Sequence, residues 1–175
     1  GLAARDAGAK TATHLFNAMS QMTSREPGLV GAVLGSDLGA GVIADGSHVE
    51  GLSLKVALAA RKAGLYLVSD CMALAGTGRS NMTLGGRKIF RRNGQLTLAD
   101  GTLAGADLRL ADAVTYLITT LGVPAQRALA MATSIPADVI GACCGRLRPG
   151  TVADIVLYDS DWKLARVWRA GSELG

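Results

Sequence analysis

Residues 40–70, AGVIADGSHVEGLSLKVALAARKAGLYLVSD, hold the pattern that decides the fold. The apolar run that opens this stretch and the run at 65–70 predict two short buried strands, and the segment at 51–63 predicts a helix between them. A strand at about 11–14 and a helix at about 29–36 precede them, so the order is β, α, β, α, β. Because strands that alternate with helices pair in parallel, we predict an α/β protein with a parallel sheet.

The sequence pattern changes after residue 80, where short alternating runs replace the alternation of strands and helices. The turn pair Asn93-Gly94 predicts a β-hairpin within 81–100. Apolar residues at helical spacing over 110–121 then predict a helix, and Asp107 is placed to cap its N-terminus. Two more strands are predicted at 153–159 and 163–170.

The composition excludes several classes of protein. With 175 residues, 49% of them hydrophobic, the chain is long enough for a globular domain. The formal charge is +4 and the pI is near 9.2, but the dense basic run at 87–92 is interrupted by Ile89 and Phe90 and is typical of a strand with a solvated face. Few aromatic residues are available to stack on bases, so we predict no nucleic-acid partner and favour an anionic small substrate.

Location is constrained by apolar runs and cysteines. No apolar run reaches the roughly 18 residues that a membrane-spanning helix needs, so we predict no membrane partner. The three cysteines, including the adjacent pair Cys143-Cys144, form neither a disulfide framework nor a C-x-x-C pair. The expected location is a reducing cytoplasm.

Three titratable side chains lie at the ends of apolar runs: His14, His48 and Asp70. In an α/β barrel the carboxyl ends of the strands face a common mouth, so we expect these three to converge. A neutral imidazole at His14 could bind a divalent metal, and Asp70 could take a proton from water that the cation has acidified. His48 could then hydrogen-bond the substrate carbonyl as negative charge develops there. Together they predict hydrolysis.

Structural roles remain open for each of these residues. A single histidine is often a satisfied structural residue, and Asp70 could cap a helix or fix a turn. Asp45 precedes Gly46 in a common turn pair, so we favour a structural role for that aspartate.

Three loops are candidates for anion binding. Arg25, in the loop 24–28, could hold a phosphate with its guanidinium, although it could equally be an ordinary surface arginine. The loop 75–80 lacks the Walker spacing and its lysine, which argues against nucleotide binding. Residues 100–105 precede a helix and could contact a sugar or an anion, or simply lead into that helix.

Six short motifs occur at 13–19, 25–28, 44–49, 68–70, 99–105 and 150–159. In this order and spacing they resemble the N-acetylglucosamine-6-phosphate deacetylases of the amidohydrolase superfamily. The combination of THLFNAM with DGTLAG distinguishes that family from the dihydroorotases and hydantoinases.

The resemblance implies hydrolysis of the acetamide of N-acetylglucosamine 6-phosphate to glucosamine 6-phosphate and acetate, with a divalent metal ion, zinc or iron. It makes His14 a metal ligand and Asp70 the catalytic aspartate, which takes a proton from the metal-bound water and later returns one to the leaving amine. Arg25 binds the phosphate, and in homodimers of the family this arginine can come from the neighbouring subunit. The other implied substrate contacts are Asn17, Ala18, His48, Leu103, Ala104 and Gly105.

The resemblance also implies an architecture. Residues 1–145 would be the C-terminal portion of a (β/α)8 TIM-type barrel, with its last three βα units and the following helices, and residues 146–175 the terminal strands of a small β-sandwich. Family members carry a glutamate and another histidine as metal ligands upstream of THLFNAM, and neither is present here. We therefore expect a piece of the complete enzyme that binds metal weakly and is inactive alone.

Two other functions stay open at this point. Another amidohydrolase acting on a cyclic amide would have no use for Arg25. A non-catalytic piece would keep phosphosugar contacts without hydrolysis, and would bind sugar in metal-free protein.

Overall fold

The computed structural model of the protein describes residues 1–174. Its elements, in chain order, are α1 (Leu2–Asp6), β1 (Thr11–Ala12), α2 (Gly28–Leu34), β2 (Gly39–Val42), α3 (Gly51–Ala60), β3 (Leu65–Leu67), β4 (Asn81–Leu84), β5 (Arg87–Arg92), β6 (Gln95–Thr97), α4 (Leu110–Thr119), α5 (Ala125–Ala132), α6 (Ser134–Val139), β7 (Ile155–Tyr158), β8 (Leu164–Arg169) and β9 (Ser172–Leu174). Among the helices of this described range, none has both the length and the apolar composition that crossing a bilayer requires.

The predicted parallel sheet is present, with β1, β2 and β3 side by side in that order. All four residues of β2 are buried, as expected for a parallel strand covered on both faces. The strands are shorter than predicted. His14 and Asp70, which the prediction included in the first and third strands, have φ angles of 39° and 46° and so turn the chain out of the extended conformation.

One apolar core joins this sheet to the helices around it. Leu54 of α3, Leu117 of α4 and Met131 of α5 are almost completely buried in the same cluster as Val42 of β2. Helix α4 was predicted from the helical spacing of apolar residues over 110–121, and the burial of Leu117 confirms that this face packs into the core.

The segment 81–97 forms a separate antiparallel sheet, β4–β5–β6. Its two turns are Gly85-Gly86 and Asn93-Gly94, with φ between 51° and 75° at all four residues. Positive φ at both central residues is the geometry of the tight hairpin turn that Asn-Gly favours, so the predicted hairpin is confirmed.

The prediction that Asp107 caps α4 is wrong. Arg109 stands at the N-cap of α4 without a side-chain cap bond, and Asp107 instead accepts hydrogen bonds from Arg91 at 2.5 and 2.9 Å. Arg91 also donates to the backbone carbonyls of Leu74, Thr77 and Arg79. This arginine therefore does not lie on a solvated strand face as expected, because a partner distant in sequence and the loop carbonyls occupy its guanidinium.

The C-terminal segment forms the antiparallel sheet β7–β8–β9. Strands β7 and β8 fall within the predicted ranges, whereas β9 was not predicted. This sheet contacts α4 through the Thr115 hydroxyl, which donates to the carbonyl of Trp162 at 2.5 Å.

Candidate active site at the carboxyl ends of the parallel strands

His14 lies in a tight turn that follows β1. The backbone N–H of Leu15 donates to the carbonyl of Gly41 at 2.8 Å, so the turn is tied to β2. Nδ1 of His14 lies 2.8 Å from the carbonyl oxygen of Asn17, and the N–H of Asn17 donates back to the His14 carbonyl. Because a carbonyl only accepts, Nδ1 carries the proton in this contact and Nε2 of the neutral ring keeps its lone pair. That is the tautomer in which an imidazole binds a metal.

Asp45 and His48 form a pair in the turn between β2 and α3. One oxygen of the Asp45 carboxylate accepts from the backbone N–H groups of Ser47 and His48, both at 2.8 Å, which confirms the predicted turn role. The other oxygen lies 2.7 Å from Nδ1 of His48. Only 7% of the His48 side chain and 15% of the Asp45 side chain are exposed. The turn role is therefore only part of what Asp45 does.

The two partners shift each other's pKa in opposite directions. The hydrogen bond to Asp45 raises the pKa of His48 above 6.5 against the opposing effect of burial, and the charges of Asp45 and Asp70 and the Gly105 carbonyl raise it further. Burial raises the pKa of Asp45, but the hydrogen bonds from the His48 ring and from the His48 and Ser47 backbone outweigh burial and bring it below 3.8. Each partner thereby favours the charged form of the other.

Asp70 follows β3 and is held against the segment 103–106. Its backbone carbonyl accepts from the N–H of Ala106 at 2.9 Å, and Cys71 forms a parallel bridge with Ala106. Gly105 has φ +76°, and a Cβ there would lie 2.8 Å from Cγ of Met72 and 3.2 Å from the Asp70 carbonyl. The left-handed φ and the close Met72 side chain both favour glycine at position 105.

The Asp70 carboxylate itself is exposed and makes no hydrogen bond or ion pair with any residue in the range 1–174. This does not fit the alternative in which Asp70 is a cap or turn-fixing residue, since such a role requires a bond to a backbone N–H. The carboxylate is free to contact water or a ligand.

The structure thus brings several of the predicted site residues to one edge of the sheet. Asp70 and Gly105 are close enough to His48 to act on its ring, and His14 follows the strand on the other side of β2. His14 and Asp70 both adopt the left-handed conformation, which is uncommon for residues other than glycine. Strained backbone of this kind is often found at functional sites.

The contacts in the structure define the positions of the remaining predicted site residues less closely. Arg25 is exposed at the tip of a turn closed by the Thr23 N–H and the Glu26 carbonyl at 2.7 Å. Asn17 closes the His14 turn, and Ala18 is exposed with φ 52°. Leu103 is 41% exposed, and Ala104 is tied to β6 through the Leu96 carbonyl.

A metal centre is only partly supported by these side chains. The oriented Nε2 of His14 fits a single metal ligand. No group of at least three histidine, cysteine, aspartate or glutamate side chains that could hold a metal is found in residues 1–174. The described residues therefore supply one ligand and not a complete site.

The sequence analysis did not predict two side-chain contacts, one at the candidate site and one in the fold. The bond between Asp45 and the His48 ring had a visible signal, since aspartate and histidine stand three residues apart in one turn. The contacts of Arg91 with Asp107 and with the loop 74–79 had none, because they depend on how the β4–β6 sheet folds back onto the chain.

A cavity of about 380 Å³ lies elsewhere, between α5 and the start of β7. It is lined by Cys143, Cys144, apolar residues and the charged Arg146 and Asp154, and it shares no residue with the edge that carries His14, His48 and Asp70. The cavity is separate from the candidate site.

Comparisons with known proteins find a family profile and relatives that cover most of this chain. A family profile described as "Amidohydrolase family" matches residues 2–173. An N-acetylgalactosamine-6-phosphate deacetylase of Shewanella sp. (strain ANA-3) is 39% identical over 99% of this chain and 45% of its own length. A putative N-acetylgalactosamine-6-phosphate deacetylase of Escherichia coli (strain K12) is 34% identical over 90% of this chain and 96% of its own length.

A solved structure agrees in shape as well as in sequence. The crystal structure of N-acetylglucosamine-6-phosphate deacetylase from Pasteurella multocida superposes with a TM-score of 0.94 and 31% identity, over 99% of this chain and 46% of that one. The chain thus spans about half the length of this protein and of the Shewanella relative.

Proposed function

The chain belongs to the amidohydrolase family, and from that premise we propose that the complete protein hydrolyses the acetamide of N-acetylglucosamine 6-phosphate to glucosamine 6-phosphate and acetate. The observation that carries the proposal is the arrangement at the carboxyl end of the parallel sheet. There the charge of the free Asp70 carboxylate acts on the buried His48 ring, and the Asp70 backbone carbonyl accepts from the N–H of Ala106.

Asp70 is the general base and then the general acid. Its exposed carboxylate can take a proton from the attacking water and return it to the amine that leaves. His48 meets the substrate through Nε2, which is buried and has no hydrogen-bond partner within the described part of the chain. A donor placed there before the reaction stabilises an oxygen on which negative charge develops.

A divalent metal, zinc or iron, would be held in part by Nε2 of His14. When bound, such a cation polarises the amide carbonyl and acidifies water at neutral pH. Imidazole is a ligand for both metals, so the presence of His14 does not distinguish zinc from iron. The Asn17 carbonyl fixes the ring orientation, and this positioning does not depend on the metal.

Arg25 is assigned to the phosphate. Its guanidinium is exposed at the tip of the Thr23–Glu26 turn and makes no ion pair within residues 1–174. A planar guanidinium binds two phosphate oxygens at once, which a surface site can use for recognition. In a homodimer this exposed arginine would serve the neighbouring site, while Asn17, Ala18 and the backbone of 103–105 contact the sugar.

The proposal includes an architecture and a location. Residues 1–145 would form part of a (β/α)8 barrel, supported by the β1–α2–β2–α3–β3 order and the parallel bridge between Cys71 and Ala106. Residues 146–175, with the antiparallel β7–β9 sheet, would belong to a small β-sandwich. The expected compartment is the cytoplasm, which suits three free cysteines.

A second substrate, N-acetylgalactosamine 6-phosphate, is favoured by the names of the Shewanella and Escherichia coli relatives. The Shewanella relative at 39% identity bears that name, whereas the Pasteurella structure at 31% identity is named for the glucosamine compound. The two sugars differ only in the configuration at C4, so the same acetamide chemistry applies to both. The ratio of their kcat/KM values decides between them.

The test is acetate release by the metal-loaded complete protein from both phosphosugars and from their unphosphorylated forms. Asp70→Asn should lower kcat at least a hundredfold. Arg25→Ala should raise KM for the phosphosugars about tenfold or more and leave the unphosphorylated sugars unaffected. Arg87→Ala, on the exposed β4–β5 hairpin, is the matched control. Acetate release that depends neither on the phosphate of the substrate nor on Arg25 would refute the phosphosugar assignment and favour a cyclic-amide hydrolase.

A further inference from the structure

The Asp45 carboxylate has more contacts than a turn residue needs. One oxygen accepts two backbone N–H groups, which is enough to fix the turn. The second oxygen has Nδ1 of His48 as its hydrogen-bond partner, at 2.7 Å. Asp159 makes the same kind of turn, accepting from the N–H groups of Asp161 and Lys163 at 2.9 and 2.8 Å, without any imidazole.

The other ring nitrogen of His48 is left free. Nε2 is buried and has no hydrogen-bond partner among the residues that the structure describes. The charge of Asp70 and the backbone of Gly105 also raise the pKa of this ring. A buried polar atom without a partner is costly, so its retention here points to a ligand atom that fills the place.

We infer that Asp45 is a positioning residue for His48: its carboxylate accepts from Nδ1 and so fixes the direction of the ring, and in the protonated ring Nε2 then donates to an oxygen of the substrate. The inference rests on the proposed function for the identity of that substrate. The ring orientation itself does not depend on the reaction. A histidine whose Nδ1 is bound to a carboxylate is fixed in tautomer and in direction.

The charge of Asp45 matters in addition to its geometry. Asp45 and Asp70 are the charged groups that act on the ring, and both favour the imidazolium. An imidazolium donates from both nitrogens, whereas a neutral ring with Nδ1 protonated only accepts at Nε2. The ligand atom that meets Nε2 of the protonated ring is therefore an oxygen acceptor, such as a hydroxyl, a carbonyl or a phosphate oxygen.

The first test is nitrogen-15 NMR of the imidazoles in the 175-residue chain, which contains only two histidines. A His14→Gln variant assigns the remaining signals to His48. Asp45→Asn removes the charge and keeps an oxygen acceptor, so the His48 pKa should fall while Nδ1 stays protonated. Asp159→Asn should leave the pKa unchanged. Equal His48 pKa values in the two variants would overturn the inference.

The wild-type spectrum provides a check that does not depend on whether a variant folds. Above the ring pKa the neutral His48 should carry its proton on Nδ1. A neutral ring protonated on Nε2 would mean that Asp45 does not orient it, and the inference would be wrong.

The second test is the pH profile of kcat/KM in the complete, metal-loaded protein. Asp45→Asn should lower kcat/KM about tenfold or more and move the limb assigned to His48 to lower pH, whereas Asp159→Asn should do neither. A limb that stays in place in an active Asp45→Asn enzyme would overturn the inference. Absence of acetate release in the wild type would refute the proposed function alone, because the NMR result decides the positioning role separately.

Discussion

Gly46→Ala tests whether the turn that carries Asp45 and His48 is packed as the structure shows. Gly46 has φ +73°, and a Cβ there would lie 2.9 Å from Oη and 3.2 Å from Cζ of Tyr116. The left-handed conformation costs alanine about 1–2 kcal/mol. Forcing an extra methyl against a packed ring costs roughly a further 1–3 kcal/mol. We expect Gly46→Ala to lower the free energy of unfolding by about 2–5 kcal/mol, as the sum of these two effects.

Gly76 offers a matched control because it has the same φ of +73° and nothing within 4 Å of an added Cβ. Gly76→Ala should therefore cost only the conformational part, about 1–2 kcal/mol. Urea unfolding followed by far-UV circular dichroism measures both variants, at equal m-values. Adding Tyr116→Phe removes the nearest atom and should recover part of the loss at Gly46. Equal losses for Gly46→Ala and Gly76→Ala, or no recovery with phenylalanine, would refute the packing argument.

Three further predictions concern charge and metal binding. The Asp45–His48 coupling, measured by a double-mutant cycle with Asp45→Asn and His48→Gln, should be strongest between pH 3.8 and 6.5. The contribution of His48 to the coupling is complete below pH 6.5 and is lost as the pH rises through the raised pKa of His48 in the folded protein. The contribution of Asp45 is complete above pH 3.8 and is lost as the pH falls through the lowered pKa of Asp45 in the folded protein. A coupling independent of pH would contradict this prediction. Asp107→Ala should lower the urea midpoint more than Asp112→Ala, because 12% of the Asp107 side chain is exposed against 47% for Asp112. An equal effect of the two substitutions would show that the ion pair of Asp107 with Arg91 does not stabilise the fold. Calorimetry should find weak zinc binding by the 175-residue chain, weakened further by His14→Ala, and a tight stoichiometric site that survives the substitution would contradict the single-ligand assignment.

Local patterns were sufficient to predict much of the architecture. The order of strands and helices through residue 70 predicts the parallel sheet because alternation of this kind leaves few other pairings. The Asn93-Gly94 pair predicts the hairpin turn because both residues tolerate positive φ. His14, His48 and Asp70 were identified because each ends an apolar run, and strand ends of a parallel sheet meet on one side.

The sequence by itself determined the element order, the turns and the residue types at the strand ends, since these depend on contacts within a few residues. Only the tertiary structure decided that Asp107 pairs with Arg91 instead of capping α4, and that the N–H of Ala106 donates to the Asp70 carbonyl. It also decided that His14 and Asp70 adopt left-handed backbone, which neither residue favours on its own. The physical reason is that each feature depends on a group brought near by folding, and local propensities contain no information about such groups.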